Sequence, residues 1–379
     1  MSALETIRIL EFGAIGPVPL CCMLLADMGA DVVRIDRTQR PDLGSPGDPK
    51  VDMINRSKRS VAIDLRSPAG IRTALRMIEQ VDVLVEGFRP GVTERLGIGP
   101  DECLALNPRL VYGRMTGWGR TGPLAQAVGH DINYLALAGA LAVIGPPERP
   151  AVPLNMVADF GGGALFLALG ITAALVERER SGRGQVVDAA MIDGVSTLMT
   201  SLYTALANGN WREGRGANML DGGSPFYTVY ETLDGKHVSI GAVEERFYRT
   251  LLEKTGLDGE ALPAQFDRDG WPLLKERLAG IFRSKTRDEW CTLLDGSEVC
   301  FAPVLTPVEA KDHPQLRERG TMVVKDGVLQ PAPSPRFSRT PSRIRSAPAL
   351  PGQHTDAVLA EFGFDAAEVA RLREGRVVA

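Results

Sequence analysis

The stretch Ile7–Ile35, IRILEFGAIGPVPLCCMLLADMGADVVRI, decides the fold. It begins with a β-rich run, Ile7–Ala14, and ends with a second one, Asp31–Ile35. Between them Pro17 and Pro19 introduce an apolar helical run that stops at a glycine. Strand, helix and strand in this order predict a βαβ unit, and therefore two parallel strands joined by a right-handed crossover.

The same alternation continues to about residue 120. Ser60–Leu65 and Asp82–Glu86 are predicted strands, and Ser67 is the predicted cap of a helix that starts at Pro68. A short helix and the strand LVYGRM follow, so we predict a doubly wound α/β sheet. The first turn, FGAIGPVP, lacks G-x-G-x-x-G and has prolines where a dinucleotide phosphate needs bare amides. Nicotinamide and flavin cofactors are therefore disfavoured.

Three arginines follow strands of this predicted sheet. Arg37 comes after Asp31–Ile35, and Arg89 and Arg95 lie in the loop after Asp82–Glu86. Any one of them is most simply a solvated side chain. Ligands of doubly wound sheets, however, bind beyond the carboxyl ends of the strands, and guanidinium groups suit phosphates. Together the three favour an anionic, phosphate-bearing ligand.

The length of 379 residues is too great for one ordinary core, so two domains are expected. We predict a large Rossmann-like domain over residues 1–200, completed by 330–379, and a smaller α+β domain over 225–327. Residues 201–224, rich in glycine and polar residues from 209 onward, are a predicted linker, and the proline-rich residues 328–352 a predicted extended return strap.

The elements beyond residue 160 support this division. An apolar run from Gly161 predicts a buried helix that ends at Gly182, and Met191–Asn208 predicts another. Residues 227–242 predict a hairpin, with its turn at the Asp-Gly pair 234–235. Residues 354–374 predict a final helix that packs on the large domain.

The composition is that of a soluble globular protein, with 44% hydrophobic and 24% charged residues. A net charge of -4 argues against a general nucleic-acid binder. The 5 cysteines form no C-x-x-C pair and no metal-ligand spacing, which is typical of reduced thiols inside a cell. We see no signal peptide, no membrane-spanning stretch near the first residues and no peroxisomal address, so a cytoplasmic protein is expected.

His130 and Asp159 are the candidate acid–base residues. Imidazole titrates near neutral pH, so His130 can carry a proton while Asp131 holds its tautomer; a structural loop histidine is equally consistent. Asp159, in the apolar run NMVADFGGG, either caps the helix that follows or is held with a raised pKa as an acid or base. Glu244 follows a predicted strand and is either a cleft residue or a plain surface glutamate.

These motifs together resemble the α-methylacyl-CoA racemases within the class III coenzyme A-transferase (CaiB/BaiF) family. The resemblance covers nearly the whole chain and is carried by IRILEF, ADVVRIDR, VAIDLRSP, DVLVEGFRPGVTERLG, MTGWGRTGP, GHDINYLAL, PLNMVADFGGG, GQVVDAAM, RGANMLDGGSPFY and GAVEERFY. The combination of GHDIN with ADFGGG is highly specific. The earlier segments define the family more than the activity.

The resemblance implies that His130 and Asp159 are two bases, one on each face of the substrate α-carbon. It implies that Asp131 and Glu244 orient or polarise His130, with Glu244 contributed by the second subunit of an interlocked homodimer. It implies an acyl-CoA substrate, no separate cofactor and no metal. The residues that it assigns to the coenzyme are Arg37, Ile63, Asp64, Leu65, Arg66, Gly87, Phe88, Arg89, Arg95, Gly129, Ile132, Asn133 and Tyr134.

Two bases at one acidified carbon predict 1,1-proton transfer between (R)- and (S)-2-methylacyl-CoA thioesters. Free aspartate titrates near ~3.9 and histidine near ~6.5, so matched bases require a raised pKa at Asp159. One alternative is a coenzyme A-transferase, in which Asp159 attacks the thioester as a nucleophile. The other is an acyl-CoA-binding protein without catalysis. The length of the acyl chain stays open.

Overall fold

The computed structural model describes residues 1–39 and 47–379. Within these residues the chain forms two compact units. The first contains Met1–Ala138, Leu154–Leu198 and Arg319–Ala379, and the second contains Gly139–Pro153 and Met199–Glu318. Residues 139–153 and 201–224 thus belong to the second unit, whereas the sequence placed them in the large domain and in a linker.

One side chain explains why residues 139–153 join the second unit. The guanidinium of Arg215 donates to the carbonyls of Ala142, Pro146 and Pro147, each at 3.0 Å. A single planar cation satisfies three backbone acceptors of this segment. The segment is therefore tied to the residues that the sequence analysis called a linker.

A six-stranded parallel sheet forms the centre of the first unit. Its strands are β1 (Arg8–Phe12), β2 (Asp31–Asp36), β3 (Arg59–Ala62), β4 (Val83–Glu86), β5 (Val111–Thr116) and β6 (Val186–Ala190). They lie in the order β3-β2-β1-β4-β5-β6, and every neighbouring pair is parallel. The predicted α/β sheet is confirmed, and the strand order reverses between β1 and β4, where such sheets bind ligands.

Helices of the first unit connect and cover these strands, and the remaining helices belong to the second unit. They are α1 (Pro17–Asp27), α2 (Pro68–Ile78), α3 (Val92–Leu96), α4 (Pro100–Leu106), α5 (Asp131–Leu137), α6 (Ala140–Val143), α7 (Leu165–Ser181), α8 (Met191–Leu198), α9 (Thr200–Ala207), α10 (Glu245–Thr255), α11 (Trp271–Phe282), α12 (Arg287–Leu294), α13 (Pro307–Ala310), α14 (Pro314–Arg319), α15 (Thr355–Glu361) and α16 (Ala366–Glu374). A π-helix, Met156–Ala164, runs directly into α7, and two 3₁₀ turns lie at Pro49–Val51 and Met53–Asn55.

Local sequence signals explain several helix ends. The Ser67 hydroxyl accepts from the Gly70 amide at 3.0 Å, as predicted for the cap of α2. Gly182 ends α7 in the left-handed conformation, with φ 74°. The predicted helix Met191–Asn208 is interrupted at Met199, and the predicted final helix is two helices. Gly363, at φ 81°, separates the latter pair because it adopts the left-handed conformation.

Buried apolar side chains hold helices on both faces of the sheet. Met77 of α2 and Phe362 after α15 share one core with Val33, Leu84 and Tyr112. On the other side, a Cβ at Gly113 of β5 would lie only 3.1 Å from Ile171 and 3.3 Å from Leu167, which both belong to α7. By length and composition alone Met156–Ser181 would suffice to cross a membrane. These contacts are those of a core helix.

The second unit has its own sheet and core. Strands β7 (Tyr227–Glu231), β8 (His237–Gly241) and β9 (Phe301–Pro303) form an antiparallel sheet, and β7 with β8 is the predicted hairpin. The core contains Phe226, Trp271, Leu278, Phe282 and Trp290. Strands β10 (Met322–Lys325) and β11 (Val328–Pro331) form a separate hairpin, so the predicted strap begins as a strand.

Candidate active site

A cavity of about 320 Å³ lies at the carboxyl ends of the first four strands. Residues 12–13, 35–39 and 63–66 line it, together with Phe88 and Leu96 from the segment after β4. Doubly wound sheets bind their ligands at this edge. Six of the residues assigned to the coenzyme lie here together: Arg37, Ile63, Asp64, Leu65, Arg66 and Phe88.

Charged side chains surround this cavity. Arg37 and Arg66 are both exposed. Arg66 Nε pairs with Asp64 Oδ1 at 2.9 Å, and this hydrogen bond lowers the pKa of Asp64. Asp36, which also lines the cavity, accepts at Oδ2 from Arg34 Nη2 at 2.8 Å, so its charge is offset by a guanidinium as well. The rim therefore presents guanidinium groups that suit an anionic ligand.

The segment after β4 carries three more residues that the sequence assigned to the coenzyme. Gly87, Arg89 and Arg95 do not line the cavity, but they alternate along the chain with Phe88 and Leu96, which do. Arg89 and Arg95 are exposed. A Cβ at Gly87 would crowd α1, so a residue without a side chain lets the segment approach that helix.

His130 is the residue immediately before α5, and its side chain is exposed. Its backbone amide donates to Asn133 Oδ1 at 3.0 Å. The Tyr134 hydroxyl donates to the carbonyl of Gly129 at 2.6 Å, and its ring packs edge-on against Trp118 with the centroids 4.7 Å apart. The turn that carries His130 is therefore fixed on both sides, while the imidazole remains accessible.

Asp131 joins the histidine segment to the aspartate segment. Its carboxylate is buried, and Oδ2 accepts from the amides of Ala158 and Asp159, both at 2.8 Å. Its other oxygen, Oδ1, has no hydrogen-bond partner among the described residues. The interaction that the sequence predicted, between this carboxylate and the imidazole of His130, is thus replaced by bonds to the backbone at Asp159.

Asp159 lies inside the π-helix, as its fourth residue, so the capping alternative is wrong. Burial raises the pKa of Asp159, the Asn155 amide lowers it, the Asp131 carboxylate raises it and the His130 imidazole lowers it, with burial the largest effect. The raised pKa is the direction that matched bases require. The hydrogen bonds from the amides of Ala158 and Asp159 to Asp131, the chain neighbour of His130, bring the segments of the two candidate bases together.

Glycines allow Asp159 and its helix to sit close to neighbouring backbone. A Cβ at Gly16, whose φ is 71°, would lie 3.1 Å from Asp159 Oδ2. A Cβ at Gly194 of α8 would lie 1.9 Å from the carbonyl oxygen of Gly162. The sequence analysis missed Gly16; a glycine directly before a helix-starting proline was the available signal. Asp159 therefore lies beside the turn that follows β1.

Two further predicted site residues have exposed side chains. Ile132, in the first turn of α5, is exposed. Glu244 belongs to the second unit, where it is the exposed residue immediately before α10 and soon after β8. Its backbone carbonyl accepts from Tyr248 at 2.9 Å. The structure thus places Glu244 at a strand end, as the sequence predicted.

The fold and site define an α/β protein with a cavity at its strand ends whose rim carries two exposed arginines, and with a histidine next in the chain to a buried carboxylate. The sequence profile of CoA-transferase family III matches residues 4–355. The chain therefore belongs to CoA-transferase family III, as the sequence motifs indicated.

Relatives and solved structures agree with this assignment. The chain is 45% identical to α-methylacyl-CoA racemase of Mus musculus and 42% identical to that of Homo sapiens, in each case over 99% of this chain and 97% of the relative. The crystal structure of a CaiB/BaiF family protein from Brucella suis is similar, with a TM-score of 0.82 and 26% identity. It covers 95% of this chain and 99% of its own.

Proposed function

We propose that the protein is an isomerase that interconverts (R)- and (S)-2-methylacyl-CoA thioesters by proton transfer at the α-carbon. The observation that carries this proposal is the link through Asp131, which bonds the backbone at Asp159 and is the chain neighbour of His130. The identity to two α-methylacyl-CoA racemases supports it. His130 and Asp159 then act as the two bases, one on each side of the α-carbon.

The chemistry follows from the acidity of a thioester. Its α-C–H loses a proton to one base, the electron pair delocalises onto the carbonyl oxygen as an enolate, and the conjugate acid opposite returns a proton to the other face. General acid–base catalysis contributes about 10²–10⁴-fold. The rest must come from donors to the enolate oxygen. The amides of Ala158 and Asp159 are occupied by Asp131, so those donors belong to other groups.

Coenzyme A enters this proposal as part of the substrate, without a separate cofactor or metal. Its nucleotide and pantetheine are expected at the cavity of about 320 Å³ and along the segments that carry Arg89, Arg95 and Gly129–Tyr134. We further propose that the protein acts in the cytoplasm as an interlocked homodimer, in which Glu244 reaches His130 of the other copy.

A coenzyme A-transferase is the second candidate, because the family includes such enzymes by its name and Asp159 is a carboxylate that can attack a thioester. The two mechanisms differ in what they need. Proton transfer requires only the thioester, whereas transfer requires a free acid as acceptor. A second candidate base, His130, favours proton transfer, since a nucleophilic aspartate does not need one.

Isotope exchange separates these functions. One epimer of a 2-methylacyl-CoA is incubated in deuterated water without an acceptor acid, and α-deuterium is followed by mass spectrometry and NMR. We expect epimerisation with deuterium incorporation, and a loss of about 10²-fold or more in His130→Ala and in Asp159→Asn. The exposed His237 offers a control, because His237→Ala should exchange as wild type does. Turnover that appears only with a free acid would identify a transferase.

A further inference from the structure

Arg114 is a buried cation that the proposed reaction does not use. It belongs to β5, and only 3% of its surface is exposed. Its guanidinium donates to Glu86 Oε1 at 2.8 Å, to Glu94 Oε1 at 2.9 Å and to the Thr93 hydroxyl at 3.0 Å. Each of its three nitrogens thus bonds a different residue, one at the end of β4 and two in the segment that follows it.

Two of the acceptors, Glu86 and Glu94, make further hydrogen bonds. Glu86 uses its other oxygen, Oε2, to accept from the amide of Phe88 at 2.7 Å. Glu94 also accepts from Arg120 at 2.8 Å, and the hydrogen bond from Arg114 lowers its pKa to about 2, so it stays ionised at working pH. The chain from residue 86 to residue 94 is therefore held to the sheet at three points.

The end of the segment is fixed by a neighbour of Arg114. The Arg114 guanidinium lies over the ring of Tyr112, 5.4 Å from its centroid. The Tyr112 hydroxyl donates to the carbonyl of Ile98 at 2.8 Å. Residues 86–98 are thus anchored at both ends and at Thr93 and Glu94 by Tyr112 and Arg114, which are two residues apart in β5.

Stability alone does not explain such a cluster. Replacing a buried ion pair by apolar side chains of similar volume is often neutral or stabilising, because desolvation offsets the Coulomb attraction. The segment that the cluster holds supplies Phe88 and Leu96 to the cavity and carries the exposed Arg89 and Arg95. A ligand that binds to a segment already held in place loses less free energy to ordering it.

We propose that Arg114 is a positioning residue for the nucleotide end of the coenzyme, acting through the segment 86–96 without touching the ligand. The proposal rests on the proposed function, because it assumes a CoA thioester in the strand-end cavity. Binding of the phosphorylated end of the substrate then depends on Arg114, whereas proton transfer at the α-carbon does not.

Steady-state kinetics with two thioesters test this separation. In Arg114→Met we expect KM for the 2-methylacyl-CoA to rise about 10-fold with kcat within about 2-fold, as for a loss of uniform binding. The corresponding acyl-pantetheine, which lacks the nucleotide, should show no change in KM. Arg114→Lys keeps the charge but lacks the planar guanidinium whose three nitrogens donate to three residues. This variant should therefore recover only part of the affinity.

Arg178→Met is the matched control. Arg178 is about equally buried, at 4% exposed. It pairs with Asp82 Oδ1 at 3.0 Å, and Asp82 directly precedes β4, at the end of the strand away from the cavity. This variant should lose stability without a change in KM for either thioester. Equal KM increases for both thioesters in Arg114→Met, or no increase for the CoA ester, would overturn the proposal.

A binding measurement keeps this test separate from the proposed activity. Calorimetric titration with adenosine 3′,5′-bisphosphate reports nucleotide binding whether or not the protein exchanges α-protons. Binding to the wild type that weakens about 10-fold in Arg114→Met supports the positioning role even if racemisation fails. Equal binding to both proteins rejects the role, even if racemisation succeeds.

Discussion

At the scale of single residues, the site depends on a carboxylate that is costly to bury. Asp159 is half-buried, and burial is the main cause of its raised pKa. A group whose pKa is higher in the folded state stabilises the fold when protonated, and this stabilisation is lost as pH rises through the folded pKa. At neutral pH the ionised Asp159 therefore reduces the stability of the native state.

Because ionised Asp159 destabilises the native state at neutral pH, we can predict the stability of Asp159→Asn. The variant should unfold at a higher temperature than wild type at pH 7, while it loses α-proton exchange by about 10²-fold or more. The stability difference should shrink as pH falls toward ~4, where wild-type Asp159 becomes protonated in the unfolded chain as well. Thermal melts between pH 4 and 7.5 measure it. As a control, Asp326→Asn, at an exposed turn, should show no such change of the stability difference with pH. An Asp159→Asn variant less stable than wild type at pH 7 would contradict the prediction.

Residue types were predictable from the sequence, but not their bonding partners. A histidine and an aspartate adjacent in sequence suggested a pair, so Asp131 was expected to hold the imidazole of His130. The first turn of α5 instead directs the Asp131 carboxylate to the amides of Ala158 and Asp159, 27 and 28 residues away. Such a contact depends on how two helices pack, and no local pattern encodes it.

At the scale of elements, the parallel sheet was predictable because its signals are local. Each strand is a short β-rich run between helices, and the structure places all six in one sheet. The π-helix was not predictable. Its wider turn is associated with the contact of Gly162 with Gly194, which brings two backbones together across the structure. The glycine run 161–163 was visible in the sequence, but its contact with Gly194 of α8 was not predictable.

The contact between these two glycines gives a prediction for Gly194→Ala. The added Cβ would meet the Gly162 carbonyl oxygen at 1.9 Å, which the backbone can relieve only by shifting. We expect a loss of about 1–3 kcal/mol in the free energy of unfolding, typical of overpacking, and slower α-proton exchange because the helix of Asp159 moves. Urea unfolding and exchange kinetics measure both effects. In Gly280→Ala of α11, where nothing lies within 4 Å, stability should instead rise by about 0.5–1 kcal/mol.

At the scale of the whole molecule, exposed apolar side chains support an assembly. Leu165, Leu169 and Val176 are 53%, 67% and 58% exposed, although they belong to a helix whose other face is in the core. Their spacing of four and seven residues puts them on one face of α7. A second copy of the chain is the proposed cover for this face, in keeping with the interlocked homodimer that the family resemblance implies.

The homodimer and the role of Glu244 can be tested together by mixing two inactive chains. If Glu244 serves His130 of the other copy, an Asp159→Asn chain paired with a Glu244→Ala chain has one site with both defects and one intact site. Random pairing by co-expression makes about half of the dimers mixed, and a symmetric dimer has two sites, so about a quarter of wild-type exchange should return. If Glu244 instead acts within its own chain, every site keeps one defect and no activity returns. Exchange rates of the co-expressed, unseparated dimers, compared with each variant alone, decide between the two arrangements.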